Sequence, residues 1–434
     1  MLRRIAYTAV TYLMSPIYAI YWFLRGIGNR AYRDRFGQRF GIGYPLLPDG
    51  CIWIHAVSVG EVQAAVPLIR TLARQFPERK LLITTVTPTG AARVRAVFGD
   101  TVAHSYLPFE IPNAIRNFFE ATRPIIALIL ETEIWPNLYH ACGKRKIPLI
   151  LVSARISPKS VARYRRLLPL FSETLSYGIV IAAQSEGDAR RFRDLGASAE
   201  RTRVTGNIKF DFETSDGLPD KGREFRRRYL GDRPAWIAAS THDKEEDMVL
   251  AAHRKVLAAQ PDAVLILVPR HPERFNAVES LLRKQGLGFV TRTSGDSCTA
   301  EHSIFLGNTM GEVPLFYAAS DIAFVGGTLV PVGGHNLLEP ASLGRPVITG
   351  PHLFNTQDIA DKFSERDACI VVQSEAELAR AVIDLFDNPS KAERMGREGE
   401  QIIEKNRGAL QRLLQLLDPL IHAVINPSGS ASAR

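Results

Sequence analysis

The stretch CIWIHAVSVGEVQAAVPLIRTLARQF, residues 51–76, decides how the rest of the chain is read. Its apolar opening, Cys51 to Ile54, is too short for a helix and favours a buried strand. After Ser58 and Gly60 an amphipathic helical pattern begins, with Glu61 in its first turn. A strand running straight into a helix is half of a βαβ unit. The same alternation recurs outward from this point. IWIHAV, KLLITTV, TVAHSYL, IIALIL, PLILVS and GIVIAAQ form one set of apolar runs, separated by amphipathic stretches such as IPNAIRNFFEATR. After the polar, turn-rich segment DFETSDGLPDKG (211–222), a second set follows: WIAAST, AVLILVPR, SIFLGN, IAFVGG, PVITG and CIVVQS. Strands alternating with helices predict parallel sheets covered on both faces. At 434 residues the chain exceeds the usual size of one core. The expected class is therefore α/β, with two doubly wound Rossmann-like domains facing a cleft at the carboxyl ends of their strands.

The N-terminus differs from the rest. Ile5 to Leu24, IAYTAVTYLMSPIYAIYWFL, is a run of 20 uncharged, mostly apolar residues, about the length that crosses a hydrocarbon core as a helix. Tyr7, Tyr18, Tyr21 and Trp22 lie toward its ends, as interfacial aromatics do. Arg3 and Arg4 precede it, whereas Arg25, Arg30, Arg33, Arg35 and Arg39 follow, so the body of the protein is expected on the cytoplasmic side. Pro16 leaves open a kinked helix lying in the interface instead of spanning it. The expected division is a membrane anchor at 1–25, an N-terminal domain at 26–212, a C-terminal domain at 213–425 and a disordered tail, NPSGSASAR, at 426–434.

The formal charge of +9 favours an anionic partner without choosing one. Cys51, Cys142, Cys298 and Cys369 are widely spaced, which suggests neither a disulfide framework nor a zinc site and points to a reducing compartment. The familiar phosphate-loop and dinucleotide glycine signatures are missing, as is any close metal-ligand spacing. The expected chemistry uses neither a metal nor a cofactor.

Sites are expected just after strands. HAVSVGE delivers Ser58, Gly60 and Glu61 there, with Glu61 expected to stay ionised at a helix N-terminus and to suit a base. The plainer alternative is a helix-start glutamate that complements the dipole. ETEIWPN (131–137) places Glu131 and Glu133 on one side if extended, and either can be the functional carboxylate. Lys209 in VTGNIKFD lies beside the expected hinge, within reach of an anion or simply solvated. VPRHPERF puts Pro269 and Arg270 at a strand end, and arginine's planar fork suits phosphate. Met310, Gly311 and Glu312 sit at a helix start. Gly333, Gly334, His335 and Asn336 precede a short helix with Leu337, Leu338 and Glu339, where glycines let amides approach an anion and Glu339 can bind ribose hydroxyls.

Together HAVSVGE, ETEIWPN, GNIKFD, VPRHPER, NTMGEVPLFYAASD and GGHNLLEPA resemble the 3-deoxy-D-manno-octulosonic acid (Kdo) transferases of Gram-negative bacteria, from the N-terminal helix to about residue 405. The resemblance implies a GT-B glycosyltransferase fold at the inner membrane. It also implies metal-independent transfer of Kdo from CMP-Kdo to the lipid A precursor lipid IV(A), without nucleic acid. By motif, Glu61 would be the general base, and Glu131 and Lys209 would support the transition state. Pro269, Arg270, Met310, Gly311, Glu312, Asn336, Leu337, Leu338 and Glu339 would hold CMP. Arg25 to Arg39, and the run from Lys144 through Arg155 to Arg166, are candidates to meet acceptor phosphates or anionic headgroups. A nucleotide-sugar epimerase of the same fold, or a non-catalytic membrane-anchored binder, are the alternative readings.

Overall fold

The computed structural model describes residues 2–165, 167–212 and 217–425. It divides into two compact units, residues 1–213 with 406–434, and residues 214–405. The first unit is built on a parallel sheet of seven strands: β1 (Cys51–His55), β2 (Lys80–Thr85), β3 (Ala103–Tyr106), β4 (Pro124–Leu130), β5 (Leu149–Ala154), β6 (Val180–Ala183) and β7 (Thr202–Val204). Their spatial order is 3-2-1-4-5-6-7. The second unit repeats the plan with β8 (Ala235–Thr241), β9 (Val264–Pro269), β10 (Phe289–Thr291), β11 (Ile304–Leu306), β12 (Ile322–Val325), β13 (Val347–Thr349) and β14 (Cys369–Val371), ordered 10-11-9-8-12-13-14. The order of the first sheet reverses between β1 and β4, and that of the second between β8 and β12, with β11 inserted between β9 and the edge strand β10. Chains diverge to opposite faces there, which leaves a crevice at the strand ends.

Every apolar run expected to be a strand is one. The two strands without such a run, β7 and β10, are three residues long and lie at sheet edges. Because both faces of each sheet are covered, β1 buries alternate side chains in two different cores: Ile52 and Ile54 in one, Cys51 and Trp53 in the other. The supposed linker is shorter than expected, since Leu218–Tyr229 is already helical; residues 213–216 lie outside the described residues.

The C-terminal boundary also needs correction. The helix Ala409–Ile425 belongs to the first unit, where Ala409, Leu413, Leu417 and Ile421 are buried beside Ile52 and Ile54. Its apolar stripe reads the same whichever core it serves, so only packing assigns it. The carboxylate of Asp211 seats its first turn, accepting from the amides of Gly408 at 2.7 Å and Leu410 at 2.6 Å. Asp211→Ala is expected to cost about 1–2 kcal/mol and to speed hydrogen exchange across residues 409–425, as loss of a helix cap does. The expected tail at 426–434 lies outside the described residues.

The N-terminal helix, Leu2–Gly28, lies along the first unit. Thr8 Oγ1 donates to Asn137 Oδ1 at 2.8 Å, and Tyr7 bonds the Glu110 carboxylate, which also accepts from the amides of Asn137 and Leu138. Tyr18 stacks on Phe109 with centroids 5.6 Å apart. The Arg39 guanidinium sits 4.0 Å from the Trp22 ring and 4.4 Å from Tyr106. No helix among the described residues is long and apolar enough to cross a membrane. Threonines, tyrosines, Ser15 and Pro16 dilute the hydropathy of the run, and one of its faces is committed to protein. The buried Arg39 is likewise withdrawn from the candidate phosphate ligands, as is Arg35, which donates to His104. Arg166, at the end of the other basic run, lies outside the described residues.

Candidate functional site

In the first unit, the expected carboxylates leave the two strands that flank the switch point. Ser58 caps the helix Val59–Gln75, and Glu61 stands in its first turn. One carboxylate oxygen of Glu61 accepts the Val57 amide at 2.8 Å, and the other accepts the Ser58 hydroxyl at 3.4 Å. A Cβ on Gly60 would meet only Ser58 Oγ, at 3.9 Å, so packing does not require a glycine and the space over this turn is open. Burial, and next the charge of Glu131, push the Glu61 carboxyl up to about 8; Glu133 adds to the rise, while the Val57 amide and Lys209 oppose it. The expectation of an ionised Glu61 is therefore corrected. One amide and a helix terminus do not offset desolvation beside two other carboxylates.

The paired glutamates part company. β4 ends at Leu130, and Glu131 turns left-handed with φ +57°, so the two are not on one extended strand. A left-handed non-glycine residue at a strand end stores strain, held here by its amide bond to Val152 O at 2.9 Å. Glu131 Oε1 meets Lys209 Nζ at 2.6 Å. Lys209 is fixed in turn by Asn207, whose side chain accepts its amide at 2.9 Å, and Ser153 Oγ accepts the neighbouring Ile208 amide at 3.1 Å. Glu133 instead accepts from Trp135 Nε1 at 2.7 Å, a local structural role. Thus Ser58, Glu61, Glu131 and Lys209 come together at the switch point.

In the second unit, Pro269 ends β9, and the Arg270 amide donates to Thr241 O at 3.0 Å. Glu312 precedes the helix Val313–Ala319 without capping it through its side chain, which is gripped by Arg292, whose Nη2 lies 2.8 Å from Oε1. Met310 is exposed and Gly311 has φ +85°. Asn336 Nδ2 donates to Glu339 Oε1 at 3.1 Å, and its Oδ1 accepts the Leu338 amide at 3.1 Å. Leu337 and Leu338 are wholly buried, and the Leu338 amide is engaged by Asn336, so neither presents a side chain to a ligand.

The glycine loop departs from expectation. The amides of Gly333 and Gly334 both donate to Gly327 O, at 3.1 and 2.9 Å, and are not aimed at an anion. The helix Leu338–Ala341 is a single turn with little dipole to offer. What the loop presents instead is His335, whose Nε2 lies 2.8 Å from Nε2 of His242. His242 follows strand β8 in STHDKEE and so obeys the same strand-end rule as the others, with no motif of its own to mark it.

The floor under these rings is built by Glu245. Its buried carboxylate accepts from the amides of Gly327 at 2.7 Å, Thr328 at 3.0 Å and Leu329 at 2.9 Å, and from His242 at 3.2 Å. Gly327, at φ +70°, lies directly beneath, where a Cβ would stand 3.1 Å from His335 and 3.3 Å from His242. Glu245→Ala would strand four donors in a buried loop. Stability should fall by about 3 kcal/mol or more, read as an earlier melt of the second unit.

Two doubly wound sheets, one with a carboxylate and lysine at its switch point and the other with arginine, histidines and glutamates at its strand ends, place the chain among two-domain α/β proteins of this fold. Residues 34–212 match the family described as 3-deoxy-D-manno-octulosonic-acid transferase, and residues 236–402 match glycosyl transferases group 1. The chain is 42% identical over 96% of its length to the 3-deoxy-D-manno-octulosonic acid transferase of Haemophilus influenzae, covering 99% of that protein. With the Bordetella pertussis transferase of the same name it shares 34% identity, over 88% of this chain and 90% of the other. The UDP-GlcNAc 2-epimerase of Neisseria meningitidis, 16% identical with a TM-score of 0.54 over 85% of this chain and 99% of that one, shares the fold alone. The chain belongs to the 3-deoxy-D-manno-octulosonic acid transferase family and is a glycosyltransferase.

Proposed function

We propose that this enzyme transfers Kdo from CMP-Kdo to lipid IV(A), adding two residues in succession, at the cytoplasmic face of the inner membrane. The observation that carries this reading is the grouping of Glu61, Glu131 and Lys209, a proton acceptor of raised pKa beside a half-buried ion pair. In its ionised form Glu61 removes the proton from the acceptor hydroxyl as that oxygen attacks the anomeric carbon of Kdo. The bond from that carbon to the phosphate oxygen breaks, and both electrons leave with CMP. The second unit supplies the donor site: Arg270 meets the phosphate, and the Asn336–Glu339 pair and the turn at Met310–Glu312 hold the nucleoside. Direct displacement predicts inversion at the anomeric carbon.

Mass spectrometry of lipid IV(A) incubated with enzyme and CMP-Kdo tests the reading. Two Kdo mass increments are expected; an unchanged lipid overturns it. Donor incubated without lipid should stay intact, whereas an epimerised sugar nucleotide would favour the epimerase alternative.

Attachment to the membrane is part of the proposal. Val10, Leu13, Ile17, Ile20, Leu24 and Ile27 follow the spacing of one helical face and are exposed, Leu13 by 77%. The opposite side, at Arg4, Tyr7, Thr8, Tyr18 and Trp22, is tied to protein. Such a helix lies in the interface plane with its apolar stripe in lipid. Leu13→Glu combined with Ile20→Glu should weaken co-sedimentation with anionic vesicles by roughly tenfold or more, while leaving CMP binding unchanged.

A further inference from the structure

His242 and His335 meet edge to edge over Gly327, with Nε2 atoms 2.8 Å apart and ring planes parallel within 1°. One ring therefore donates Nε2–H to the lone pair of the other, and the donor ring's Nδ1 is bare. The pair can take one more proton on that Nδ1 without breaking the bond between the rings; a second would break it. Arg270 and His271 face the pair from the end of β9, and Arg274 from the turn Pro272–Arg274. The nearby carboxylates are already engaged. Glu245 holds four amides, Glu246 and Asp243 pair with Arg274, and Glu339 takes Asn336. Burial and next the surrounding cations keep both rings uncharged, His242 near 4 and His335 near 3. An anion entering this site opposes that balance, since an opposite charge at hydrogen-bond distance favours the protonated imidazole, by roughly one to three in pKa.

We propose that the His242–His335 pair takes up one proton from solvent when the nucleotide phosphate binds beside Arg270, offsetting the second negative charge that the phosphate acquires as the sugar departs. The inference rests on the donor-site reading above. When the glycosyl bond breaks, a phosphodiester monoanion becomes a monoester dianion, and the proton already held by the pair offsets one of its two charges. Either imidazole alone would be exposed to the cations around it. The shared N–H lets the second ring spread the charge, and the pair titrates as one unit.

Calorimetry of CMP binding to the full-length protein at pH 6.5, in buffers of different ionisation enthalpy, tests this. The titration of CMP itself, whose phosphate has a second pKa of about 6, is measured separately and subtracted. Wild type should then take up roughly half a proton or more per CMP, and none with cytidine, which lacks the phosphate. His242→Gln and, separately, His335→Gln should each abolish that uptake and weaken CMP about tenfold. CMP binding without net uptake in wild type, or with equal uptake in both variants, overturns the proposal. Failure of wild type to bind CMP at all overturns the donor-site reading itself.

Discussion

Glu61→Gln lowers sugar transfer by about 100-fold or more, the typical cost of losing an essential general base. The carboxamide oxygen of the substituted side chain still accepts the Val57 amide, so loss of rate with an intact helix start separates proton abstraction from capping. The same substitution has the opposite effect on stability, and the sign follows from linkage. The Glu61 carboxyl is raised to about 8 in the fold, well above its unfolded value. The folded protein therefore holds this proton more tightly than the unfolded chain. The resulting stabilisation is fully present below the unfolded pKa and is lost as pH rises through about 8. Glutamine cannot ionise, so the melting temperature of Glu61→Gln should gain on wild type by a few °C between pH 5 and 9. Equal melting curves across that range would mean that Glu61 is not protonated in the resting enzyme. A gain in stability with a loss of rate is the usual sign of a site shaped for chemistry at the expense of the fold.

Lys209→Met produces the second large effect and gives it a pH signature. Lys209 Nζ lies 2.6 Å from Glu131 Oε1 in a largely buried pair. Its removal leaves the Glu131 charge uncompensated beside Glu61 and also withdraws the positive charge that holds Glu61 down. The Glu61 pKa then climbs further. In wild type the rising limb of kcat/KM should have an apparent pKa near 8, with about a tenth of the enzyme in the active form at pH 7. Lys209→Met should move that limb alkaline and cost roughly tenfold to a hundredfold at pH 7, with part of the loss recovered at pH 9. Glu131→Gln should shift the limb the other way, toward acid, because the second-largest cause of the elevation is gone. A loss in Lys209→Met that is identical at pH 7 and pH 9 would assign Lys209 to the leaving group alone.

Much of the site was legible because in a doubly wound sheet chemistry collects where strands end, and strand ends are visible as apolar runs that stop. That rule points to Glu61, Glu131 and Arg270, whereas Lys209 is read from its place beside the expected hinge. The rule also reached His242, which went unremarked because a lone histidine among Asp243, Lys244, Glu245 and Glu246 reads as part of a charged helix start. Other features have no linear signal. Nothing near Glu131 announces that its backbone turns left-handed and sends it toward Lys209, 78 positions on, while Glu133 is kept by Trp135. Nothing in GGTLVPVGGHN says that Gly333 and Gly334 commit their amides to Gly327.

By itself the sequence determined two parallel α/β sheets, because the alternation of apolar runs with amphipathic stretches is a local property dictated by period. It determined which strand ends carry charge for the same reason. Tertiary structure alone decided the protonation state of Glu61, since desolvation and the approach of Glu131 are sums over neighbours distant in the chain. It also decided which unit claims the last helix and that the N-terminal helix lies along the protein instead of leaving it. An apolar face specifies that something will cover it; only the three-dimensional packing specifies what.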